Sequence, residues 1–202
     1  MKFSPVSSRT INPCKNKRCK ACGLYLNQYP ISDSKKKSNI FWVGLSAVQF
    51  EEHEVQKPLA AHTRSGALIQ TIEESFANEI SFYKTNLVKC VPLKSNKIRY
   101  PLEHEMEKCY PNLEDEIHEL TPSVVFLLGK QVATFVLKKL EISEFNLDEN
   151  FNYSSFDVNN IKYVPVHHPS FVLVYKRKYL DDYINSIQSL FLHFLIPVCK
   201  TA

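Results

Sequence analysis

Apolar runs of strand type alternate along the chain with segments of helical period, and this alternation limits the folds open to it more than any other feature. The runs Asn39 to Gly44, Phe82 to Val91, Ser123 to Leu128 and Ile161 to Val166 are short and rich in β-branched and aromatic residues. Between and after them lie Ser65 to Ala77, Glu103 to Leu120, Lys130 to Leu140 and Tyr179 to Phe194, whose apolar positions recur at helical spacing. A helix between two strands carries the chain back along the sheet, so such strands pair in parallel. The expectation is an α/β fold: a three-layer sandwich with a central, mostly parallel four-stranded sheet flanked by helices. Gly44, Pro92, Gly129 and Pro165 fall at or just after the strand ends. Ligands of open α/β sheets bind beyond the carboxyl ends of the strands, so chemistry is sought there.

With 202 residues, 44% of them hydrophobic, the chain is long enough for one substantial core, and a single domain over residues 1–202 is expected. Residues 1–38 have little regular pattern and need an external staple to be ordered. They carry Lys2, Arg9, Lys15, Lys17, Arg18, Lys20 and Lys35 to Lys37 against one acid, Asp33, although the formal charge of the whole chain is only +4. Such a segment suits a phosphate backbone and equally a solvated loop. Glu141 to Asn160 is rich in Asn, Ser and acids and reads as a loop or an irregular hairpin. No apolar run approaches the roughly 18 residues that span a bilayer, and no cleavable apolar leader is seen, so a cytoplasmic protein without a membrane partner is expected.

In a reducing compartment the six cysteines are not expected to pair as disulfides. Cys19 and Cys22 form a C-x2-C pair, Cys90 lies at a strand exit and Cys109 within a helical pattern. Four thiolates suit an iron-sulfur cluster or a structural zinc ion, and their spacing does not separate the two; buried core thiols remain the competing reading. Cys14, five residues before Cys19, is an alternative ligand, and Cys199 is left over.

Taken in order, several segments carry a resemblance. They are Cys19-Lys-Ala-Cys22-Gly-Leu, Val43-Gly-Leu-Ser-Ala47, Lys57-Pro-Leu59 with Ser65-Gly-Ala-Leu68, Thr85-Asn-Leu-Val-Lys-Cys-Val-Pro92, Glu105 to Leu113, Pro122 to Gly129, and His167-His-Pro-Ser170. Each is weak alone, but the ordered series spans most of the chain and resembles the iron-sulfur branches, families 4 and 5, of the uracil-DNA glycosylase superfamily. The resemblance implies a [4Fe-4S] cluster of structural role held by Cys19, Cys22, Cys90 and Cys109, which would tie the N-terminal segment down. It also implies DNA as partner and a monomer.

The same resemblance assigns site residues. Asn86 matches the asparagine that reads the Watson-Crick edge of the base, and an amide offers the donor and acceptor this needs. His168 matches the histidine that hydrogen-bonds the base oxygen and stabilises the departing anion. The loop Gly44-Leu45-Ser46-Ala47 stands where family 4 has a GEAPG-like sequence with an acidic second residue; here that residue is Leu45, as in the GLAPA loop of family 5. Glu51 and Glu52 could replace the lost carboxylate or be solvated, and Ser46 could hold a water or merely fill a turn. Leu59 stands where the family has a phenylalanine that stacks on the base, and the stretch to Ser65-Gly66 is about two residues longer, so His62 and Arg64 fall in an altered pocket wall. Leu173, or a neighbour, takes the place of the apolar wedge that fills the vacated position in DNA; a helix start is the competing reading. Lys176, Arg177 and Lys178 would contact phosphates, His62 and Arg64 a base or a phosphate, and Ser170 is assigned to DNA binding.

The expected activity is hydrolysis of the N-glycosidic bond of a flipped uracil or a bulkier modified pyrimidine, leaving an abasic site. Leu45, Leu59 and the longer wall raise a second possibility, a glycosylase for hypermodified cytosine in viral DNA. A DNA-binding module that has lost turnover is a third.

Overall fold

The computed structural model describes residues 19–34, 36–50 and 57–195. Its strands are β1 (Ile40–Ser46), β2 (Phe82–Val88), β3 (Leu93–Lys94), β4 (Lys97–Ile98), β5 (Val124–Leu128), β6 (Phe156–Val158) and β7 (Ile161–Val166). Its helices are α1 (Arg64–Glu74), α2 (Glu103–Leu120), α3 (Lys130–Lys139), α4 (Pro169–Tyr175) and α5 (Leu180–Leu195). The main sheet runs β2-β1-β5-β7-β6; the first four strands are parallel and β6 is antiparallel to β7.

Residues 40–43 of β1 and all five residues of β5 are buried, as parallel strands covered on both faces must be. Their side chains alternate between two cores. Phe41, Val43, Val125 and Leu127 pack on one face with Leu113 and Ile117 of α2 and Val132 and Val136 of α3. Ile40, Trp42, Val124 and Phe126 pack on the other with Ile69 and Ile72 of α1, Val172 of α4, and Ile187 and Phe191 of α5. The three-layer α/β sandwich expected from the sequence is therefore present, with one difference. The sheet has five strands, because β6 arises from the segment that carried no clear period. Asn159 and Asn160 turn β6 into β7 with φ of 52° and 64°, a left-handed pair that asparagine tolerates better than most residues.

Two further departures concern element ends. The run expected to continue to Val91 leaves the sheet after Val88, and the chain then forms the small β3–β4 hairpin. The first helix opens at Arg64, where the Thr63 hydroxyl accepts from the backbone N–H of Gly66 at 3.0 Å. The segment after His168 is α4, the helix that was the competing reading there. The described part of the N-terminal segment is held by ordinary contacts: Leu24 enters the first core, the Ile31 N–H donates to the Lys89 carbonyl at 2.8 Å, and the Asn27 amide donates to the Val91 carbonyl at 2.8 Å. Among the described residues no helix is long and apolar enough to cross a membrane.

Candidate active site

Parallel strands all end on one side, and the ends of β1, β2 and β7 meet there. A cleft of about 710 Å³ is lined by Gly44, Leu45 and Ser46 from β1, Asn86 from β2, Leu59 and Arg64 from the wall leading into α1, and His168 after β7. Seven residues singled out from the sequence thus surround one cavity. Glu51 and Glu52 lie outside the described residues, and among the described lining residues none is acidic; the charged ones are Lys57, Arg64 and Arg99.

The floor of this cleft is closely fitted. Gly44 pairs with Asn86 in the sheet, and a Cβ added at Gly44 would come 2.4 Å from Asn86 Oδ1, so only glycine lets that amide lie across the strand end. Asn86 is 3% exposed, and none of the hydrogen bonds seen among the described residues uses its side-chain amide. Gly129 follows β5 with φ of 90°, its N–H donates to the Val166 carbonyl at 2.7 Å, and a Cβ there would meet His168 Cβ at 3.1 Å. The two glycines leave the room in which Asn86 and His168 sit.

The hydrogen bonds of His168 fix its chemical form. The backbone N–H of Ser170 donates to His168 Nδ1 at 3.1 Å, capping α4, and the Ser170 hydroxyl lies 2.7 Å from the same nitrogen. A nitrogen that accepts from a backbone N–H carries no proton, so in the neutral ring the proton is on Nε2. Burial lowers the His168 pKa to about 4. The ring is therefore a neutral donor at neutral pH. Ser170, expected to bind DNA, contacts this imidazole through both its N–H and its hydroxyl. His167 is a core residue: its Nδ1 lies 2.9 Å from the Tyr153 hydroxyl, its carbonyl accepts from Tyr183, and its ring stacks on Phe171.

The wall is less regular. Leu59 adopts φ of 49°, a left-handed conformation that costs a leucine about 1 kcal/mol or more. Gly66 lies so close beneath it that a Cβ would come within 2.0 Å of the Ala60 carbonyl oxygen. Phe50 also lines the cleft and meets His62 edge-on, with ring centroids 5.8 Å apart. Arg99 is gripped by Glu105 through two contacts of 2.8 and 2.6 Å. Phe50, Arg99 and Tyr100 were not foreseen, since a lone aromatic or arginine in a pattern-poor stretch carries no positional signal. Leu173 is half-buried and packs on the second core, whereas Val174 and Tyr175 beside it are exposed. Arg177 is exposed, and Lys176 lies 3.5 Å from Glu149.

Beyond the end of β2 in the sequence and on α2, the thiols of Cys90 and Cys109 are free and pack in one cluster with that of Cys22. Burial, and then the proximity of Cys109 and Cys22, pushes the Cys90 thiol up to about 12; burial also raises Cys109. The Lys89 N–H donates to Cys109 Sγ at 3.3 Å, and the Asn112 amide approaches it at 3.7 Å. Cys19 is buried and disulfide-bonded, which corrects the expectation that no cysteine pairs; in this form its sulfur is not the thiolate that a metal would need. Among the described residues no three ligating side chains are gathered at metal-binding distance. The donor chemistry nevertheless fits a thiolate-held group: three soft sulfurs packed in one cluster, short of metal-binding distance, one already receiving N–H donors.

A parallel sheet whose strand ends hold an unengaged amide and a neutral imidazole in one cleft belongs to the class of open α/β proteins with their site beyond the carboxyl ends of the strands. The family profile of the uracil DNA glycosylase superfamily matches residues 31–190, and the chain belongs to that superfamily. Membership places it among the DNA glycosylases. Among its relatives is the type-4 uracil-DNA glycosylase of Archaeoglobus fulgidus, 24% identical over 179 residues that cover 85% of this chain and 86% of the relative. The type-4 uracil-DNA glycosylase of Sulfurisphaera tokodaii is 27% identical over 188 residues, covering 86% and 79%. That of Saccharolobus solfataricus is 24% identical over 181 residues, covering 85% and 81%.

Proposed function

We propose that this chain hydrolyses the bond between deoxyribose and a flipped uracil or related altered pyrimidine in DNA. The observation that carries this reading is His168, neutral and with its proton confined to Nε2, in the same cleft as the unengaged amide of Asn86. As the C1′–N1 bond breaks, the electron pair leaves with the base and the sugar becomes cationic. The base anion gathers charge on its carbonyl oxygens, and a fixed neutral donor stabilises it without first giving up a proton. Asn86 reads the base edge by donating and accepting at once. Water then adds to C1′ and gives up a proton to solvent, while the base anion takes one up as it leaves; Ser46, at the end of β1, is the hydroxyl we assign to hold that water. Leu45, where a carboxylate would activate that water, leaves most of the catalysis to the leaving group. Base release from uracil-containing DNA tests the reading: free uracil and an abasic site are expected, and bound but intact DNA would refute it.

A second reading, a bulkier base such as a hypermodified cytosine, is favoured by Leu59 in place of a stacking ring. It predicts release from modified DNA in preference to uracil DNA.

We also infer that Cys22, Cys90, Cys109 and reduced Cys19 hold a [4Fe-4S] cluster, which would cross-link the N-terminal segment to β2 and α2; zinc is the alternative for the same thiols. Anaerobically purified protein should be brown with broad visible absorbance, and Cys109→Ser should lose the colour and melt at lower temperature. Colourless protein holding one zinc would select the alternative.

A further inference from the structure

A second groove, of about 940 Å³, opens beside the first and shares Leu45, Tyr100 and His168 with it. Its walls carry large side chains that a folded protein has reason to hide: Tyr100 is 70% exposed, Val174 56% and Tyr175 74%. On α4 the ring of Phe171 stacks on buried His167 at 5.3 Å with 17° between planes, and Tyr175, one turn further, meets Phe171 at 5.3 Å. The backbone of Tyr100 is fixed, its carbonyl accepting from Arg99 Nη1 at 2.9 Å while Glu105 grips the same guanidinium. Lys130 and Gln131, at the start of α3, add polar groups to the lining. Exposed aromatic side chains and a lysine lining one groove are the components that stack nucleobases of an unpaired strand.

We propose that this groove is a binding site for the nucleobase adjacent to the extracted one, and that the protein therefore prefers its target in a locally unpaired strand. The proposal rests on the first cleft being the base pocket. Nucleotides next to each other share one phosphate, so when one base occupies the first cleft its neighbour reaches only a contiguous site, and this groove is contiguous. A neighbour seated there has left the duplex stack, which a single strand permits at least cost. The aromatic faces impose no base identity, so a purine or a pyrimidine should serve.

The test uses the full chain and three fluorescent single strands containing uracil: one with ordinary neighbours, and two in which the base on the 5′ or the 3′ side is replaced by a base-free spacer. Affinity and uracil release are measured on each. We expect a spacer on one side to weaken binding about tenfold and a spacer on the other to change it little. Tyr100→Ala and Tyr175→Ala should each weaken the ordinary strand by a similar factor and should be insensitive to the damaging spacer, because the stacking partner is already gone. Both side chains are largely exposed, so neither change should unfold the protein. Equal binding of all three strands, or a Tyr100→Ala loss that persists undiminished on the spacer strand, would overturn the proposal. Failure of the proposed activity is distinguishable: strands that bind with the spacer effect but release no uracil retain the groove and refute the glycosylase reading, whereas release that ignores the spacers does the reverse.

Discussion

The floor of the main cleft and its wall are built on different terms. The floor is made at the ends of β1, β2 and β5 and just past β7, where the sheet hydrogen bonds fix the backbone and two glycines leave no spare space beside Asn86 and His168. The described part of the wall, residues 57–63 leading into α1, contains no strand and has a leucine in a left-handed conformation and a close approach at Gly66. Of the two parts of the glycosylase pattern that are replaced in this chain, the stacking ring falls on the wall, at Leu59, and the acid at Leu45, at the end of β1 from which the wall departs. The difference suggests that the floor carries the chemistry and the wall carries the choice of base.

Breaking the floor should have the largest effect. His168→Ala removes the donor to the departing base and should lower kcat by on the order of a thousandfold while leaving DNA affinity within a few-fold, as single-turnover kinetics would show. A matching loss of affinity with unchanged kcat would make His168 a binding residue only. Gly44→Ala places a methyl 2.4 Å from Asn86 Oδ1 and should cost about a hundredfold in kcat/KM by misplacing the amide, without touching His168. If activity is unaffected, the floor is more pliant than its packing implies.

The wall should respond more mildly and with opposite signs for different bases. Leu59→Phe restores a ring and should raise kcat/KM on uracil by about tenfold while lowering it on a bulkier modified base. A uniform loss on both would show that Leu59 supports the loop and does not face the base.

Much of this contrast was legible in the sequence, and the missing parts have physical causes. The strands of buried apolar residues and the helices of clear period were readable because burial on both faces leaves a continuous apolar signal. β6 was not, because an edge strand of three residues with a polar side carries almost none. Gly44 was marked by its place at a strand end, whereas Asn86 and His168 were assigned through the resemblance to the glycosylase superfamily. The tautomer of His168 was not, because it depends on the helix α4 that follows and on the cap it makes there. Phe50 and Tyr100 reach the cleft only through the path of irregular chain, which no local pattern encodes.

The smallest effect expected is on stability against pH. Above the ordinary histidine value of 6.5, His168 is neutral folded and unfolded and contributes no slope. As pH falls from 6.5 toward about 4, the unfolded chain binds a proton that folded His168 refuses, so stability declines and levels off below about 4. His167, also lowered by burial, acts in the same sense. Thermal melts of His168→Gln should show a shallower decline over this interval; an unchanged slope would mean that His168 titrates as an ordinary exposed ring. The rate should likewise show no inflection near pH 6.5.

The most direct test of the central claim is mass spectrometry of the bases released by anaerobically purified protein from two DNAs, one containing uracil and one bearing hypermodified cytosines, with His168→Ala alongside. The account predicts a free pyrimidine and an abasic site from at least one DNA, lost in the variant although it still binds. Tight DNA binding with no base released from either would contradict it and leave a binding module on a glycosylase fold.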